Sequence, residues 1–252
     1  MKKTYKCKLR LKTEIAPGIF DYVVEAPQIA AEAKTGQFLH INCGGRTSLR
    51  RPISICDFDE GFVRFAFQVK GEGTEKLSRL DPGDVIDIMG PLGNGFTVKH
   101  GEHAVIIGGG IGVFPLLRLA RYHQDAPVFL GFRTKELICM EDDFNEANDN
   151  VVICTDDGSY GYEGFAVAAM GEYLIEHEVD MIYCCGPTPM LKAVKQIAEY
   201  RRIPCQISLE QRMGCGIGAC LTCVCETKGE GMAKYKQVCS AGPVFDSREV
   251  IL

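Results

Sequence analysis

The sequence has no long hydrophobic run. The apolar stretch Ala104-Val105-Ile106-Ile107 ends in glycines, and no unbroken apolar run comes near the ~20 residues that a membrane-spanning helix needs. It has no polybasic segment either. Lysines and arginines are scattered, and the formal net charge is −5. A mildly acidic chain offers no electrostatic attraction for nucleic acid. The opening residues, MKKTYKCKLR, contain no apolar core of the kind a secretory leader carries. Internal repeats and low-complexity segments are missing as well. These absences point to a soluble cytoplasmic protein that engages neither nucleic acid nor membrane.

The chain does have cysteine in abundance, 13 residues among 252. An odd count without a leader argues against a disulfide framework and for metal or redox chemistry. Four of them form a pattern: Cys215, Cys220 and Cys223 in C-x4-C-x2-C spacing, then Cys239. That is the spacing of plant-type [2Fe–2S] sites. Three thiolates on one short loop must converge on two irons. Gly214, Gly216 and Gly218 allow the tight wrap and let backbone N–H groups face the sulfurs. Zinc is the competing reading, but zinc sites favour paired knuckles and often histidine, and no histidine follows Gly214. Cys225 lies just past Cys223 and is read as packing, because the ligand spacing is already complete.

The first hundred residues read as β-rich. Alternating runs at 4–13, 19–25, 37–42, 62–69 and 85–89 are separated by turn residues such as Ala16-Pro17-Gly18, Gly44-Gly45 and Asp81-Pro82-Gly83. One short helix is expected at 74–80. This pattern predicts a sandwich or small antiparallel barrel. Near Gly101 the pattern changes to strands alternating with helices. Strands are expected at 103–107, 128–132, 151–155, 180–185 and 205–209, with helices at 113–124, 140–147, 166–175 and 189–200. That order predicts a doubly wound parallel sheet. The expected organisation is therefore a barrel over 1–98, an α/β domain over 99–209 and a small cysteine-rich subdomain over 210–252. The last is too short to build a core unaided, so a metal centre would organise it.

Two groups of residues suggest dinucleotide sites. In the β-rich half, Arg50-Arg51-Pro52-Ile53-Ser54-Ile55 closes a strand-like region, and Lys70-Gly71-Glu72-Gly73-Thr74 opens the short helix. Arginine binds phosphate in a bidentate manner, and helix-opening glycines expose N–H groups to phosphate. The competing readings are a structural Arg-Pro corner and a plain glycine turn. In the α/β half, Gly108-Gly109-Gly110-Ile111-Gly112 follows a buried strand and opens a helix, the setting for a pyrophosphate. Asp157 ends a further strand on the same edge, and Arg133 could reach an adenosine ribose or phosphate.

The Arg-x-x-Ser and Gly-x-x-Thr elements resemble those of the FAD domain of the ferredoxin–NADP reductase superfamily. Cys184-Cys185-Gly186-Pro187-Thr188-Pro189-Met190 resembles the segment by which that superfamily contacts the nicotinamide. The run Leu209-Glu210-Gln211-Arg212-Met213-Gly214-Cys215-Gly216-Ile217-Gly218-Ala219-Cys220 closely resembles the electron-transfer subunits of dihydroorotate dehydrogenase B, and the likeness spans essentially the whole chain. It implies FAD, a [2Fe–2S] cluster and NAD as cofactors. By that resemblance, FAD would contact Arg51, Pro52, Ile53, Ser54, Gln68, Val69, Lys70, Gly73 and Thr74. NAD would contact Gly108, Gly109, Gly110, Gly112, Asp157, Cys185, Gly186 and Pro187. The cluster ligands would be Cys215, Cys220, Cys223 and Cys239. The resemblance also implies an FMN-bearing catalytic partner, two copies of each subunit in a heterotetramer, and electron delivery to NAD for pyrimidine biosynthesis. Related alternatives are the small subunit of an NADH-dependent ferredoxin:NADP oxidoreductase or of a sulfide dehydrogenase. A non-catalytic redox sensor is the alternative of another class.

Overall fold

The computed structural model describes residues 3–44 and 49–252. Gly45, half of one expected turn, lies outside them. The alternating runs of the first part pair into a closed antiparallel barrel in the order β1-β2-β5-β4-β3-β6. The strands are β1 (Thr4–Ala16), β2 (Ile19–Glu25), β3 (Phe38–Asn42), β4 (Arg51–Asp59), β5 (Phe62–Gln68) and β6 (Val85–Leu92). Alternation decides which side chains fill it. On β6, Ile86 and Ile88 are buried in the barrel core, while Asp87 between them takes Arg50 and Lys6. Leu9, Tyr22, Leu39, Ile41 and Phe65 are fully buried in the same core, each contributing about 1.5–3 kcal/mol by leaving water.

Two expectations for this half need correction. Arg51 opens a strand rather than closing one. Pro52 sits one residue in, opposite His40 of β3, near the strand start, where a residue without an N–H is tolerated. Helix α2 (Glu72–Ser78), which follows α1 (Pro27–Ala30), begins two residues before the predicted start. The Thr74 hydroxyl accepts the N–H groups of Lys70 and Gly71 at 2.9 and 3.3 Å, which fixes the first turn. The Tyr22 hydroxyl donates to the Leu77 carbonyl at 2.6 Å and holds the helix to the barrel.

The second half forms a seven-stranded sheet in the order β10-β9-β8-β7-β11-β12-β15. Its parallel strands are β7 (Ala104–Gly109), β8 (Val128–Phe132), β9 (Val151–Thr155), the short β10 (Tyr162–Glu163), β11 (Met181–Cys185) and β12 (Cys205–Ser208). Helices α3 (Leu117–Tyr122) and α4 (Glu141–Ala147) share one core with Ala104 and Ile106. Helices α5 (Ala166–Glu176) and α6 (Thr188–Arg201) share the other with Val105 and Ile107. Alternate residues of β7 thus feed opposite faces, which is why the run is continuously apolar. The helix predicted at 113–124 is shorter. Residues Gly110–Leu116 form a 3-10 stretch containing Pro115, and the α-helix starts only at Leu117. Proline lacks the N–H that an α-helical turn would need there.

After β12 the chain forms a hairpin, β13 (Val224–Glu226) with β14 (Tyr235–Gln237), and then β15 (Val244–Asp246), which pairs antiparallel with β12. The cysteine-rich segment is also tied in by backbone bonds, Leu209 N–H to the Pro243 carbonyl at 2.9 Å and Asn94 N–H to the Gly242 carbonyl at 2.5 Å. Barrel and sheet are joined by ion pairs. Arg64 of β5 bridges Asp21 of β2 and Asp143 of α4, and Asp57 of β4 takes Arg118 and Arg121. Among the described residues no helix is long and apolar enough to cross a membrane.

Candidate redox site

The sulfurs of the quartet are surrounded by backbone donors. Cys215 Sγ accepts from the N–H groups of Ile217 (3.5 Å) and Ala219 (3.3 Å), and Cys239 Sγ from Gly218 N–H (3.1 Å). Cys220 Sγ accepts from Cys215 N–H (3.4 Å) and the Thr222 hydroxyl (3.2 Å), and Cys223 Sγ from Cys239 N–H (3.4 Å). Such donors stabilise negative sulfur. The exposed Cys220 thiol is drawn down to about 6, first by the Thr222 hydroxyl. Cys239 is pushed up to about 12 by burial and by the neighbouring Cys223 sulfur.

The backbone needed for this wrap is one only glycine supplies at two positions. Gly216 and Gly218 stand at φ +71° and +84°. Added Cβ atoms would meet His40 Nδ1 at 2.5 Å and Ser240 Oγ at 2.9 Å. The donor set therefore fits an iron–sulfur centre held by thiolates. Cys225 is buried on β13, and burial raises its thiol.

A cavity of about 770 Å³ lies where barrel, sheet and cysteine segment meet. Arg51, Pro52, Ile53, Ser54, Gln68, Lys70, Thr74 and Cys185, all singled out from sequence, line it. Arg51 donates to the backbone oxygens of Leu49 (2.5 Å) and Arg50 (3.4 Å). Gly73 lies against this guanidinium, and a Cβ there would stand 2.8 Å from Arg51 Nε. Val69 packs against the barrel core instead. The N–H groups of Lys70 and Gly71, expected to face a phosphate, are taken by Thr74. A channel of this size with an arginine and two strand ends fits a bulky flavin nucleotide.

The glycine run has a packing role that the sequence did not show. Cβ atoms at Gly109 and Gly112 would strike Met190 Sδ at 2.6 Å and the backbone of Gly186 and Cys185 at 2.6–2.7 Å. These glycines let β7 and its loop close on residues 185–190. Pro187 lies against Gly109, and a Cβ at Gly108 would meet Leu116 and Val113. Gly110 alone has a positive φ, +54°, with open space beside it. Asp157 stands apart, exposed after β9. It accepts the Ser159 hydroxyl at 2.6 Å, which holds it below the usual carboxylate range. The ends of β7, β8, β9 and β11 all lie on one edge, where such sheets bind ligands.

Sequence reasoning missed the aromatic walls of the cavity, Phe38, Phe67 and Phe114, together with Ile111 and the segment 208–213. The last was legible in principle, because it leads directly into Cys215. His40 was also missed. It is fully buried beside Gly216. Burial, then the Arg50 guanidinium, lowers its imidazole to about 4, so it is a neutral ring.

Comparison with known proteins agrees with this geometry. A family model described as the iron–sulfur cluster binding domain of dihydroorotate dehydrogenase B matches residues 210–251, and one for an oxidoreductase NAD-binding domain matches 106–196. The dihydroorotate dehydrogenase B (NAD(+)) electron transfer subunit of Caldanaerobacter subterraneus subsp. tengcongensis is 39% identical over 100% of this chain and 98% of its own. That of Bacillus mycoides is 40% identical over 95% of each. A chain from the structure of an NADH-dependent reduced ferredoxin-NADP oxidoreductase superposes with a TM-score of 0.88 at 31% identity, covering 100% of this chain and 91% of that one. Amycolatopsis cytochrome P450 reductase, at 20% identity and a TM-score of 0.67 over 81% of this chain and 68% of its own, shares the fold. Fold, cofactor set and oxidoreductase character agree with the expectations from sequence, and the chain belongs to the family of dihydroorotate dehydrogenase B electron transfer subunits.

Proposed function

We propose that the chain collects electrons at Cys215, Cys220, Cys223 and Cys239 and delivers them to NAD at the sheet edge, with FAD in the cavity between. Its partner in this reading is an FMN-containing subunit that oxidises dihydroorotate, assembled two plus two with this chain in the cytoplasm. The proposed units are 1–98 for FAD, 99–209 for NAD and 210–252 for the cluster, with β15 of the last completing the sheet of the second. The observation that carries the proposal is that one cavity is shared by all three parts. Arg51–Ser54, Cys185 and residues 208–213, which lead into Cys215, all border it.

When bound, FAD supplies both hydride and single-electron exchange, whereas NAD exchanges only hydride and a [2Fe–2S] centre only single electrons. The residues here bind, orient and exclude water. Arg51 and Lys70 neutralise phosphate at one end of the cavity. Phe38, Phe67 and Phe114 keep water from its walls. Gly109 and Gly112 bring residues 185–187 close enough to form one floor. The N–H groups of Ile217, Gly218 and Ala219 hold the thiolates. Among the residues named, none need act as an acid or base.

Anaerobic NADH should bleach the flavin of the purified chain, and a native pull-down should recover an FMN-containing subunit. A chain that carries flavin yet does not bleach would sink the enzyme reading in favour of a redox sensor. The likeness to the ferredoxin-NADP oxidoreductase chain supports a second reading, which recovery of a larger flavin subunit would favour.

A further inference from the structure

No histidine follows Gly214 in the sequence, yet the fold brings one to the cysteine loop. His40 comes from β3 of the barrel. It pairs with Pro52 of β4 on one side and Met89 of β6 on the other. Its own carbonyl accepts from Arg50 Nη1 at 3.2 Å, and the same Nη1 donates to the Asp87 carbonyl at 3.0 Å. The histidine is thereby pinned within the strand pair that carries the Arg51–Ser54 wall of the cavity.

Its ring faces the cysteine loop. Gly216 lies so close that a Cβ there would stand 2.5 Å from Nδ1, 3.0 Å from Cε1 and 3.1 Å from Cγ. The loop backbone rests on the imidazole. Although the residue is fully buried, neither ring nitrogen has a hydrogen-bond partner of good geometry among the described residues. The backbone groups that approach it are those of Arg50 and Cys215, one from the flavin strand and one from a proposed cluster ligand. A buried imidazole whose nitrogens find no well-aligned partner is costly to keep. An aliphatic side chain would fill the same space without that cost, so the polar ring calls for a use.

We infer that His40 is a positioning residue that seats the cysteine loop on the flavin-binding strand and so fixes the spacing between cluster and flavin. The imidazole is the wedge, Gly216 is the flat surface that rests on it, and a ring N–H turned toward the backbone of Cys215 holds the loop in place. This rests on the reading that the four cysteines hold the cluster.

The test uses the full-length holoprotein and compares wild type with His40→Leu, His40→Asn and Gly216→Ala. Readouts are iron content, cluster midpoint potential by EPR-monitored titration, and the rate of cluster reduction after mixing with NADH. Amide exchange of residues 214–223 is measured in the same holoprotein. His40→Leu is expected to displace the potential, quicken loop exchange and slow cluster reduction severalfold. His40→Asn, which keeps a donor, should recover part of the loss. If His40→Leu assembles no iron, Gly216→Ala decides, because it keeps histidine and all four thiols but must push ring and loop apart. Wild-type potential, rate and exchange in both His40→Leu and Gly216→Ala would overturn the inference while leaving the cluster reading intact. A wild-type chain without iron would overturn both.

Discussion

Two glycine-rich loops, residues 108–112 and 214–218, look alike in the sequence and solve different problems. In the first, Gly109 and Gly112 are small because another chain segment lies where their Cβ atoms would be, and only Gly110 takes a left-handed conformation. That loop is packed. In the second, Gly216 and Gly218 are left-handed, and the N–H groups they free turn inward onto sulfur. That loop is shaped around a ligand. Burial organises one and backbone donors organise the other, so the two should fail differently when damaged.

The largest effect is expected at the second loop. Cys239→Ser removes a ligand, and the chain should lose its iron entirely while keeping FAD. Iron analysis and the flavin absorbance band check this, and retained iron would mean that the ligand set is wrong. Gly112→Val should act on the first loop in the opposite way. Its side chain meets backbone at 2.6–2.7 Å, and overpacking of this kind costs about 1–3 kcal/mol or more. Urea denaturation should show the loss, with a raised KM for NADH and iron unchanged.

Gly218→Ala is milder. Its φ of +84° costs an L-residue about 1–2 kcal/mol, and the loss should appear as reduced iron occupancy at unchanged NADH affinity. If it weakened NADH binding instead, the division of labour between the loops would be wrong.

The smallest effect is acid sensitivity near the first loop. His123, at the end of α3, is depressed by burial against Tyr122 and Tyr183, with His100 adding to the shift and Glu102 opposing it. A histidine whose folded value lies below its unfolded one contributes stability above pH 6.5, lost as pH falls through that value and on toward the folded one. The iron-free chain should therefore be less stable at pH 5 than at pH 8, and His123→Gln should flatten that slope. An unchanged slope would remove His123 from the account.

Much of the fold was legible. Alternation marked most of the barrel strands, and the continuous run at Ala104–Ile107 marked a strand buried on both faces. The start of β4 was not legible, because Pro52 reads locally as a corner and only its pairing with His40 makes it a strand residue. β15 was hidden too. Its three residues carry no periodicity, and only β12 gives them a place. At the site, chemistry that resides in types and spacings was readable: the cysteine pattern, the arginine and the glycines. What depends on distant segments meeting was not. The aromatic cavity walls, Thr74 consuming the N–H groups of Lys70 and Gly71, and His40 beneath Gly216 are all tertiary facts.

What the four thiolates hold decides what the chain can do. Metal and acid-labile sulfide analysis of the chain purified without oxygen, read with its visible and EPR spectra, is the direct test. The prediction is about two irons and two sulfides per chain, the composition of a [2Fe–2S] centre, with an EPR signal that develops on NADH addition. Stoichiometric zinc with no visible absorption beyond flavin would contradict it.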